Sequence, residues 1–284
     1  MTRYLITGAA GMLGTDLRAA LAGREVTALT RADLDVTDPD AVDAAIAGAD
    51  VILNASAYTR VDDAEEDEPA AALVNATAAG VLASAAARRG ATLVHFSTDY
   101  VFDGTASEPY AEDAPLAPVS AYGRTKADGE RLVREFNGAR SHVIRTAWLY
   151  GAGGGNFAKT MLRLAGERET LSVVDDQIGQ PTWTADLAAQ TVRLLDSGIP
   201  SGTWHGTNAG RASWFDFARA IFQAAGLDPE RVTATDSSQF VRPAPRPAYS
   251  VLGHNAWTAA GLTPMRDWRP ALDAAFASGA LGAS

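Results

Sequence analysis

The feature that most constrains the fold is a spaced run of three glycines near the beginning of the chain. Gly8, Gly11 and Gly14 follow a short apolar segment typical of a β-strand and open a segment with helical periodicity. Glycine permits a tight turn there and lets backbone N–H groups approach a pyrophosphate at the helix N-terminus. This placement predicts a dinucleotide site, whereas the alternative interpretation is a glycine turn with only a structural role.

The order of the predicted elements indicates an α/β fold, a doubly wound parallel sheet of the Rossmann-like type. In the first half of the chain, short apolar segments alternate with helical patterns, which is the signature of parallel strands joined by crossover helices. Right-handed crossovers place the helices on both faces of such a sheet. The predicted strands cover residues 4–7, 26–30, 51–55, 92–98 and 142–148, and the predicted helices cover 12–22, 39–47, 62–89 and 120–136.

The amino-acid composition of the chain changes after about residue 150, where glycines, prolines and tryptophans become more frequent. We predict an NAD(P)-binding domain over 1–150, to which 183–200 also contributes, and a smaller substrate-binding domain over 151–284. The second domain should cover the carboxyl edge of the sheet, where ligands bind in such folds. Its predicted elements are strands at 171–174 and 203–207 and helices at 156–167, 183–197, 213–225 and 267–278.

The composition excludes several classes of protein. Acidic residues outnumber basic ones by 34 to 24, and the net charge of −10 argues against a nucleic-acid partner. The chain has no cysteine and its four histidines are scattered without ligand spacing, so neither disulfides nor a metal site are predicted. Glycine follows the first apolar residues too early for a signal peptide, and no apolar run approaches the roughly 20 residues of a membrane span. We therefore expect a cytoplasmic protein without a membrane partner.

The end of the second predicted strand bears on the choice between NAD and NADP. An acidic residue at this tip binds the ribose 2′-hydroxyl, whereas a nearby arginine accommodates a 2′-phosphate. The strand ends with Thr30 and Arg31, which favours NADPH, although Asp33 keeps NADH possible. Asp35 and Val36 are expected beside the adenine, where an acid and backbone groups can meet the ring amino group.

A tyrosine and a lysine four residues apart carry the most specific signal. Lys126 is one of only two lysines in a chain that otherwise uses arginine for its cations, and it follows Tyr122 by four positions. Residues at this spacing share one face of a helix. An ammonium reaches ribose hydroxyls and takes part in proton transfer, which a guanidinium does poorly. The pair predicts acid–base chemistry, and the alternative is a core tyrosine beside a solvated lysine.

The proton chemistry of Tyr122 depends on the groups that surround its phenol, which when free has a pKa of about 10. We expect the Lys126 ammonium and an oxidised nicotinamide to lower this pKa, so that the phenol exchanges a proton with a carbonyl oxygen. A third group must hold that carbonyl. Thr98, at the end of the fourth strand, is the candidate, and Ser97 is the second choice. The alternative for Thr98 is a local cap.

Together these features resemble the extended short-chain dehydrogenase/reductase family. The resemblance rests on the glycine loop, the segment 54–59, the strand end 97–99 and the Tyr122/Lys126 pair. It implies NAD(P)H-dependent reduction of the C4 ketone of dTDP-4-dehydro-6-deoxy-L-mannose to dTDP-L-rhamnose, for cell-envelope polysaccharide. Segments that resemble one reductase branch of this family run nearly from end to end: 61–62, 97–104, 145–150, 156–162, 176–182, 246–247 and 267–272.

The resemblance also implies roles for individual residues. By position, Tyr122 is the proton donor, Lys126 binds the nicotinamide ribose, and Thr98 orients the ketone. The implied cofactor contacts are Gly11, Met12 and Leu13 at the pyrophosphate, Asp35 and Val36 at the adenine, and Ala57, Tyr58 and Thr59 on the far side. The implied substrate contacts are Asp99, Trp148, Asn156 and Arg246.

Three other functions fit the same motifs. A nucleotide-sugar dehydratase or epimerase uses the same Tyr/Lys pair with tightly held NAD⁺, but dehydratases carry a glutamate after the strand-end aspartate, where this chain has Tyr100. A non-catalytic NADP-binding regulatory subunit, similar to the beta subunit of methionine adenosyltransferase, also stays open. So does another sugar-nucleotide ketoreductase.

Some members of the family dimerise around Mg²⁺ held by acidic side chains. Asp16 and Asp186 fall near the positions of such ligands, but no terminal glutamate follows to complete a cluster. We interpret both as surface acids and predict no metal residue, and we leave open both Mg²⁺ and the choice between a monomer and a homodimer.

Overall fold

A computed structural model describes residues 1–282, and it is α/β throughout. Its strands are β1 (Arg3–Thr7), β2 (Glu25–Leu29), β3 (Val51–Asn54), β4 (Thr92–Thr98), β5 (Ser141–Thr146), β6 (Leu149–Tyr150), β7 (Leu171–Val174), β8 (Ile178–Gly179), β9 (Thr182–Trp183), β10 (Gly202–His205), β11 (Ala212–Ser213) and β12 (Val232–Thr235). Its α-helices are α1 (Met12–Ala20), α2 (Pro39–Ala45), α3 (Asp63–Glu66), α4 (Glu68–Ala72), α5 (Ala78–Arg89), α6 (Ala121–Asn137), α7 (Phe157–Glu167), α8 (Thr184–Ser197), α9 (Trp214–Ala224), α10 (Asn255–Ala259) and α11 (Trp268–Ala277).

The central sheet has six strands in the order β10-β5-β4-β3-β1-β2, and every neighbouring pair is parallel. All four residues of β3 and six of the seven in β4 are buried, as expected when helices cover both faces of a parallel sheet. The strand order reverses between β1 and β3, and at such a switch point the carboxyl ends of the strands leave an open crevice. The predicted doubly wound sheet is confirmed.

Two apolar cores lie against the faces of this sheet, and a third lies beyond it. Leu17 and Leu187 belong to the first core and Leu82 to the second, whereas Phe217 and Phe222 are buried in the third, which α7, α9 and α11 enclose. Strand β10 and helices α8 and α10 come from the chain after residue 150, yet they pack on the central sheet. The later half of the chain thus supplies parts of both units, and its assignment to substrate binding stays a prediction.

The helix predicted over 62–89 is not continuous, so that expectation was wrong. Asp67 leaves the helical region at φ −136° and ψ 65°, and its side chain then caps α4 by accepting a hydrogen bond from the Ala70 N–H. Between α4 and α5 the chain makes one π-helical turn, Leu73–Thr77. The helical stretch Glu68–Arg89 is long and apolar enough, by length and composition alone, to cross a membrane, contrary to the expectation that no run approaches that length. Seven residues of α5 are buried inside the protein, which is ordinary for a core helix.

The strand predicted over 142–148 ends earlier, at Thr146. Trp148 has φ +46°, a left-handed conformation that ends extended pairing and is rare for a bulky residue. Strand β12 and helix α10 were not predicted.

Candidate active site

Two adjoining cavities, of about 580 and 570 Å³, open at the carboxyl ends of the central strands. Their common wall is formed by Gly11 and by the segment 55–57 that follows β3. The first cavity reaches the end of β2, and we name it the adenosine end of the cleft. The second reaches the ends of β4 and β5, and we name it the catalytic end. The cleft is therefore long enough to run across the whole switch point of the sheet.

The glycine loop allows a very close approach of three backbone segments. Gly8 has φ +67°, and a Cβ there would lie 2.7 Å from the backbone of Ala55. A Cβ on Gly14 would lie 2.3 Å from the Gly8 carbonyl oxygen, so Gly14 lets α1 pack on the loop rather than lining the cleft itself. Gly11 caps α1 without a side chain, so no cap accepts from the N–H groups of the first turn. These N–H groups belong to Met12 and its neighbours, which line the cleft. These residues fit a pyrophosphate, and their contact with one stays a prediction.

At the end of β2, the structure places Arg31, which favours NADPH, and Asp33, which would favour NADH, in different surroundings. Asp33 Oδ2 accepts hydrogen bonds from the Thr30 N–H (2.9 Å) and hydroxyl (2.7 Å), which hold the pKa of Asp33 below its usual range. Thr30 and Asp33 therefore close a turn, and neither lines the adenosine cavity. Arg31 does line it, together with Asp35 and Val36. Hydrogen bonds from Thr37 to Asp35 lower the pKa of that carboxyl.

The loop after β3 is held by an asparagine that the sequence analysis missed. Asn75 Oδ1 accepts from the Tyr58 N–H (2.9 Å), and Asn75 Nδ2 donates to the Tyr58 carbonyl (3.1 Å) and to the Thr125 hydroxyl (3.2 Å). Asn75 lies in the π-helical turn, an irregularity that occurs frequently at functional sites. One buried amide thus ties the cofactor-side segment 57–59 to α6. The only sequence signal was a lone asparagine in an alanine-rich helix.

Helix α6 carries the tyrosine and the lysine, and two contacts fix its position. The Ser120 side chain accepts from the Gly123 N–H and begins the helix. Farther along, Glu130 and Arg145 form a buried two-pronged ion pair between α6 and β5, with both N···O distances at 2.9 Å. The orientation of α6 is therefore set by a local cap at its beginning and by a buried ion pair with a strand that is distant in sequence.

Lys126 is buried at the catalytic end of the cleft, with 2% of its surface exposed. Its Nζ donates to the Phe96 carbonyl at 2.6 Å, which leaves further N–H groups to face the cavity. Burial lowers the pKa of Lys126 to about 8, because the charged form loses water. The lysine is thus a cleft residue and not a solvated surface charge.

Tyr122 lines the same cavity, with its ring edge-on to Tyr100 at 5.6 Å between centroids. Burial raises the pKa of the Tyr122 phenol to about 12, and the Asp99 carboxylate adds to this rise while the Thr98 hydroxyl opposes it. Burial therefore dominates, and the expected lowering of this pKa was wrong for the groups that the chain itself provides. A raised pKa keeps the phenol protonated at neutral pH, which is the form that a proton donor needs.

Thr98 and Asp99 end β4 and project into the catalytic cavity. The Thr98 hydroxyl donates to Asp99 Oδ1 at 2.9 Å and accepts from the Tyr100 N–H at 3.2 Å. Thr98 thus also caps a short turn, as the alternative interpretation held. Burial raises the pKa of Asp99 to about 6, and its Oδ2 has no hydrogen-bond partner among the described residues. Ser97 lies there too, with its hydroxyl equally unpartnered within residues 1–282.

A pair of tryptophans separates the catalytic cavity from a third cavity of about 640 Å³. The rings of Trp148 and Trp214 stack at 3.6 Å between centroids and 9° between planes. One face of Trp148 is therefore covered by Trp214, and only the remainder of its ring is available to a sugar. Trp214 lines both cavities, and the sequence analysis missed it because the stacking joins β5–β6 to the distant helix α9.

The third cavity contains one of the two remaining predicted substrate residues. Arg246 lines it and pairs with Asp62 at 2.9 Å. Two further arginines on its wall, Arg168 and Arg242, form no ion pair with any residue in 1–282. Asn156 lies outside the three cavities: it caps α7 by accepting from the Lys159 N–H at 3.0 Å and donates to a backbone carbonyl. Its part in substrate binding stays a prediction.

The two acids considered for Mg²⁺ are each engaged by neighbouring side chains. Asp16 accepts from the Thr184 hydroxyl at 2.5 Å, and Asp186 pairs with Arg266 at 2.8 Å while accepting from Asn208. The part of the chain that the structure describes contains no group of three or more histidine or carboxylate side chains placed to hold a metal ion.

The fold and this cleft define a class, the Rossmann-fold oxidoreductases with a Tyr/Lys acid–base pair. The chain belongs to the family described as RmlD substrate binding domain, whose model matches residues 2–280.

Individual relatives cover almost the full chain. It is 51% identical over 278 residues to a dTDP-4-keto-6-deoxy-D-glucose reductase of Streptomyces niveus, with 96% of each chain covered. It is 48% identical over 282 residues to a dTDP-4-dehydrorhamnose reductase of Streptomyces griseus, covering 96% of this chain and 93% of the relative. The structure of a dTDP-4-dehydrorhamnose reductase of Bacillus anthracis in complex with NADP matches at a TM-score of 0.94 and 38% identity, covering 98% of this chain and 100% of that one.

Proposed function

We propose that this chain reduces the C4 ketone of dTDP-4-dehydro-6-deoxy-L-mannose and yields dTDP-L-rhamnose, with NADPH as the reductant. The observation that carries the proposal is the joint placement of Thr98, Tyr122 and Lys126 at one end of a cleft whose other end begins at the glycine loop. Residues 1–150 with 183–200 hold the dinucleotide in this proposal, and 151–284 supplies most contacts to the sugar nucleotide.

The dinucleotide, when bound, supplies the hydride that reduces the ketone carbon. Tyr122 gives its phenolic proton to the ketone oxygen as that oxygen becomes an alcohol, so charge and protons balance. The single O–H of Thr98 turns from Asp99 Oδ1 to the same oxygen, holds it by a hydrogen bond and sets its position relative to Tyr122. The Lys126 ammonium, fixed by the Phe96 carbonyl, binds ribose hydroxyls and stabilises the phenolate that remains. An acid–base partner of this kind contributes about 10²–10⁴-fold to the rate.

The preference for NADPH follows from the turn at the end of β2. Asp33 is engaged by Thr30 and does not line the adenosine cavity, whereas Arg31 does. A guanidinium without a carboxylate partner in residues 1–282 suits a 2′-phosphate, which takes two hydrogen bonds from it. The relative from Bacillus anthracis with NADP in its structure supports the same choice.

The sugar nucleotide is assigned to the third cavity, from which its sugar reaches the catalytic end past Trp214. Arg168, Arg242 and Arg246 place three guanidinium groups on that wall, opposite one carboxylate, Asp62. This excess of positive charge, in a chain of net charge −10, fits a diphosphate. Buried Asp99 faces the catalytic cavity, where it can accept hydrogen bonds from sugar hydroxyls.

A second substrate has direct support from the comparisons. The name of the Streptomyces niveus relative specifies the 4-keto-6-deoxy-D-glucose nucleotide, which differs from the first candidate in the configuration of the sugar. The same catalytic groups serve either ketone. The non-catalytic alternative is disfavoured because Thr98, Tyr122 and Lys126 lie together at the cavity wall, and the dehydratase alternative lacks the second acid at Tyr100.

The test is the oxidation of NADPH by the purified protein with each of the two dTDP-sugars, followed by identification of the product. We expect oxidation that depends on the sugar nucleotide, faster with the L-mannose derivative, and dTDP-L-rhamnose as the product. Faster turnover of the D-glucose derivative would transfer the proposal to that substrate. Tight binding of NADPH without oxidation by either sugar would contradict the proposed reaction.

A further inference from the structure

Arg60 lies on the wall of the adenosine cavity, and nothing in the motifs of the chain assigns it a role. It follows β3, opposite the end of β2 where Arg31 lies. Its guanidinium is stacked over the Tyr58 ring, with its carbon 4.9 Å from the ring centroid. Arg60 is therefore a planar cation that lies over an aromatic ring and also lines the adenosine cavity.

Two contacts hold the Arg60 guanidinium beside Tyr58. Its Nε forms an ion pair with Asp63 at 3.1 Å, and Nη2 donates to the Tyr58 hydroxyl at 3.3 Å. Because the Tyr58 ring covers one side of the guanidinium, the opposite side stays available. Of the Arg60 side chain, 71% is exposed, so that face is open to a ligand.

The wall beside Arg60 is apolar. Leu73 and Val74, at the start of the π-helical turn, line the same cavity, and Leu73 keeps 47% of its surface exposed. A purine ring has two flat faces. One face can pack against an apolar side chain such as Leu73, and the other can stack on a planar cation such as the Arg60 guanidinium. A phosphate is better placed at Arg31, because Arg60 already pairs with the Asp63 carboxylate, whose negative charge opposes a second anion.

We propose that Arg60 stacks on the purine ring of the dinucleotide and holds it against Leu73 and Val74, while Arg31 alone recognises the 2′-phosphate. This inference rests on the proposed dinucleotide site and adds the residue that grips its base. Because the base is common to NADPH and NADH, Arg60 determines affinity for both and contributes nothing to the choice between them.

The test measures the dissociation constants of NADPH and NADH by fluorescence titration, without any sugar nucleotide. Arg60→Ala should raise both constants by the same factor, about fivefold. Arg60→Lys keeps the charge but lacks the plane, and it should behave like Arg60→Ala. Arg31→Ala should weaken NADPH about tenfold or more and NADH less than about twofold. Arg131→Ala, which removes a similarly exposed arginine from α6, is the charge-matched control and should change neither constant.

Three results would overturn the inference. They are a loss confined to NADPH in Arg60→Ala, full rescue by Arg60→Lys, and an equal loss in Arg131→Ala. Failure of the wild-type protein to bind either dinucleotide would remove the site itself and this inference with it. Normal binding without reduction of a ketone would contradict only the proposed reaction, and the effect of Arg60 could still be measured.

Discussion

The two ends of the cleft are built from opposite kinds of surroundings. At the catalytic end, Thr98, Asp99 and Lys126 are nearly inaccessible, with 5%, 2% and 2% of their surfaces exposed. At the adenosine end, Arg31 and Arg60 are exposed, and their contacts are to neighbours in sequence. The side chains at the first end are shielded from solvent by the protein itself, and the arginines at the second end are not.

This difference separates chemistry from recognition. Burial moves the pKa of Asp99 up to about 6 and that of Lys126 down to about 8, so both approach the pH at which protons are exchanged. At the exposed end, local hydrogen bonds from Thr37 hold the pKa of Asp35 below its usual range, and its charge is constant near neutrality. Fixed charges recognise a ligand, whereas tunable groups move its protons.

The largest expected effect is at the buried end. Tyr122→Phe removes the proton donor and keeps the ring, so we expect kcat to fall by about 10²–10⁴-fold. The dissociation constant of NADPH should stay within about twofold, because the variant keeps the aromatic ring and loses a single hydroxyl. Steady-state kinetics and fluorescence titration measure the two quantities separately. A variant that turns over like the wild type would refute the assignment of Tyr122.

Thr98→Val tests whether the strand-end hydroxyl holds the ketone. The variant has the same shape without the hydrogen bond, so we expect kcat to fall by about 10²-fold while NADPH binds as before. Ser97→Ala is the matched comparison, since its hydroxyl faces the same cavity. If Ser97→Ala loses more activity than Thr98→Val, then Ser97 and not Thr98 orients the ketone.

The burial of Lys126 has a consequence for stability. The pKa of Lys126 is about 8 in the folded protein against about 10.4 in an unfolded chain, so folding carries a penalty that is fully present below pH 8 and disappears as the pH rises toward about 10. Lys126→Met lacks this penalty. We expect its free energy of unfolding, minus that of the wild type, to decrease by about 2–3 kcal/mol between pH 7.5 and about pH 10.

Urea unfolding at several pH values measures this difference, and other titrating groups cancel because both proteins contain them. A difference that is constant with pH would show that the Lys126 ammonium is not desolvated. The contrast between a buried and an exposed end of the cleft would then be wrong at its central residue.

The smallest expected effect is at the exposed end. Arg31→Ala should raise the KM for NADPH about tenfold, leave the KM for NADH within about twofold, and keep kcat at saturating cofactor unchanged, since Arg31 touches no reacting atom. Initial rates with each cofactor measure the effect. An unchanged preference for NADPH would contradict the role of Arg31, and a large loss of kcat would show that the two ends are coupled.

The parts of this site that could be predicted from the sequence are those written into short periods. The turn from Gly8 to Gly14 and the four-residue spacing of Tyr122 and Lys126 are local patterns, and the structure places both at the cleft. Asn75 and Trp214 were missed, because their importance comes from partners far away in the chain. A sequence pattern does not show which distant surfaces meet.

The direction of the Tyr122 pKa could not be read from the sequence for the same reason. The neighbouring lysine is visible in the spacing, but the burial that raises this pKa is produced by segments that are far apart in the chain. Strand β10 is a similar case. Its residues were predicted to belong to the substrate-binding domain, but in the structure they pair with β5 in the central sheet.

The most direct test of this account is a single-turnover measurement of hydride transfer at saturating NADPH, with dTDP-4-dehydro-6-deoxy-L-mannose, in the wild type, Tyr122→Phe and Arg31→Ala. We predict that Arg31→Ala reacts at the wild-type rate once saturated and that Tyr122→Phe is slower by at least about 10²-fold. Equal rates in all three proteins, or a loss in Arg31→Ala as large as in Tyr122→Phe, would contradict the division of the cleft into a chemical and a recognition end.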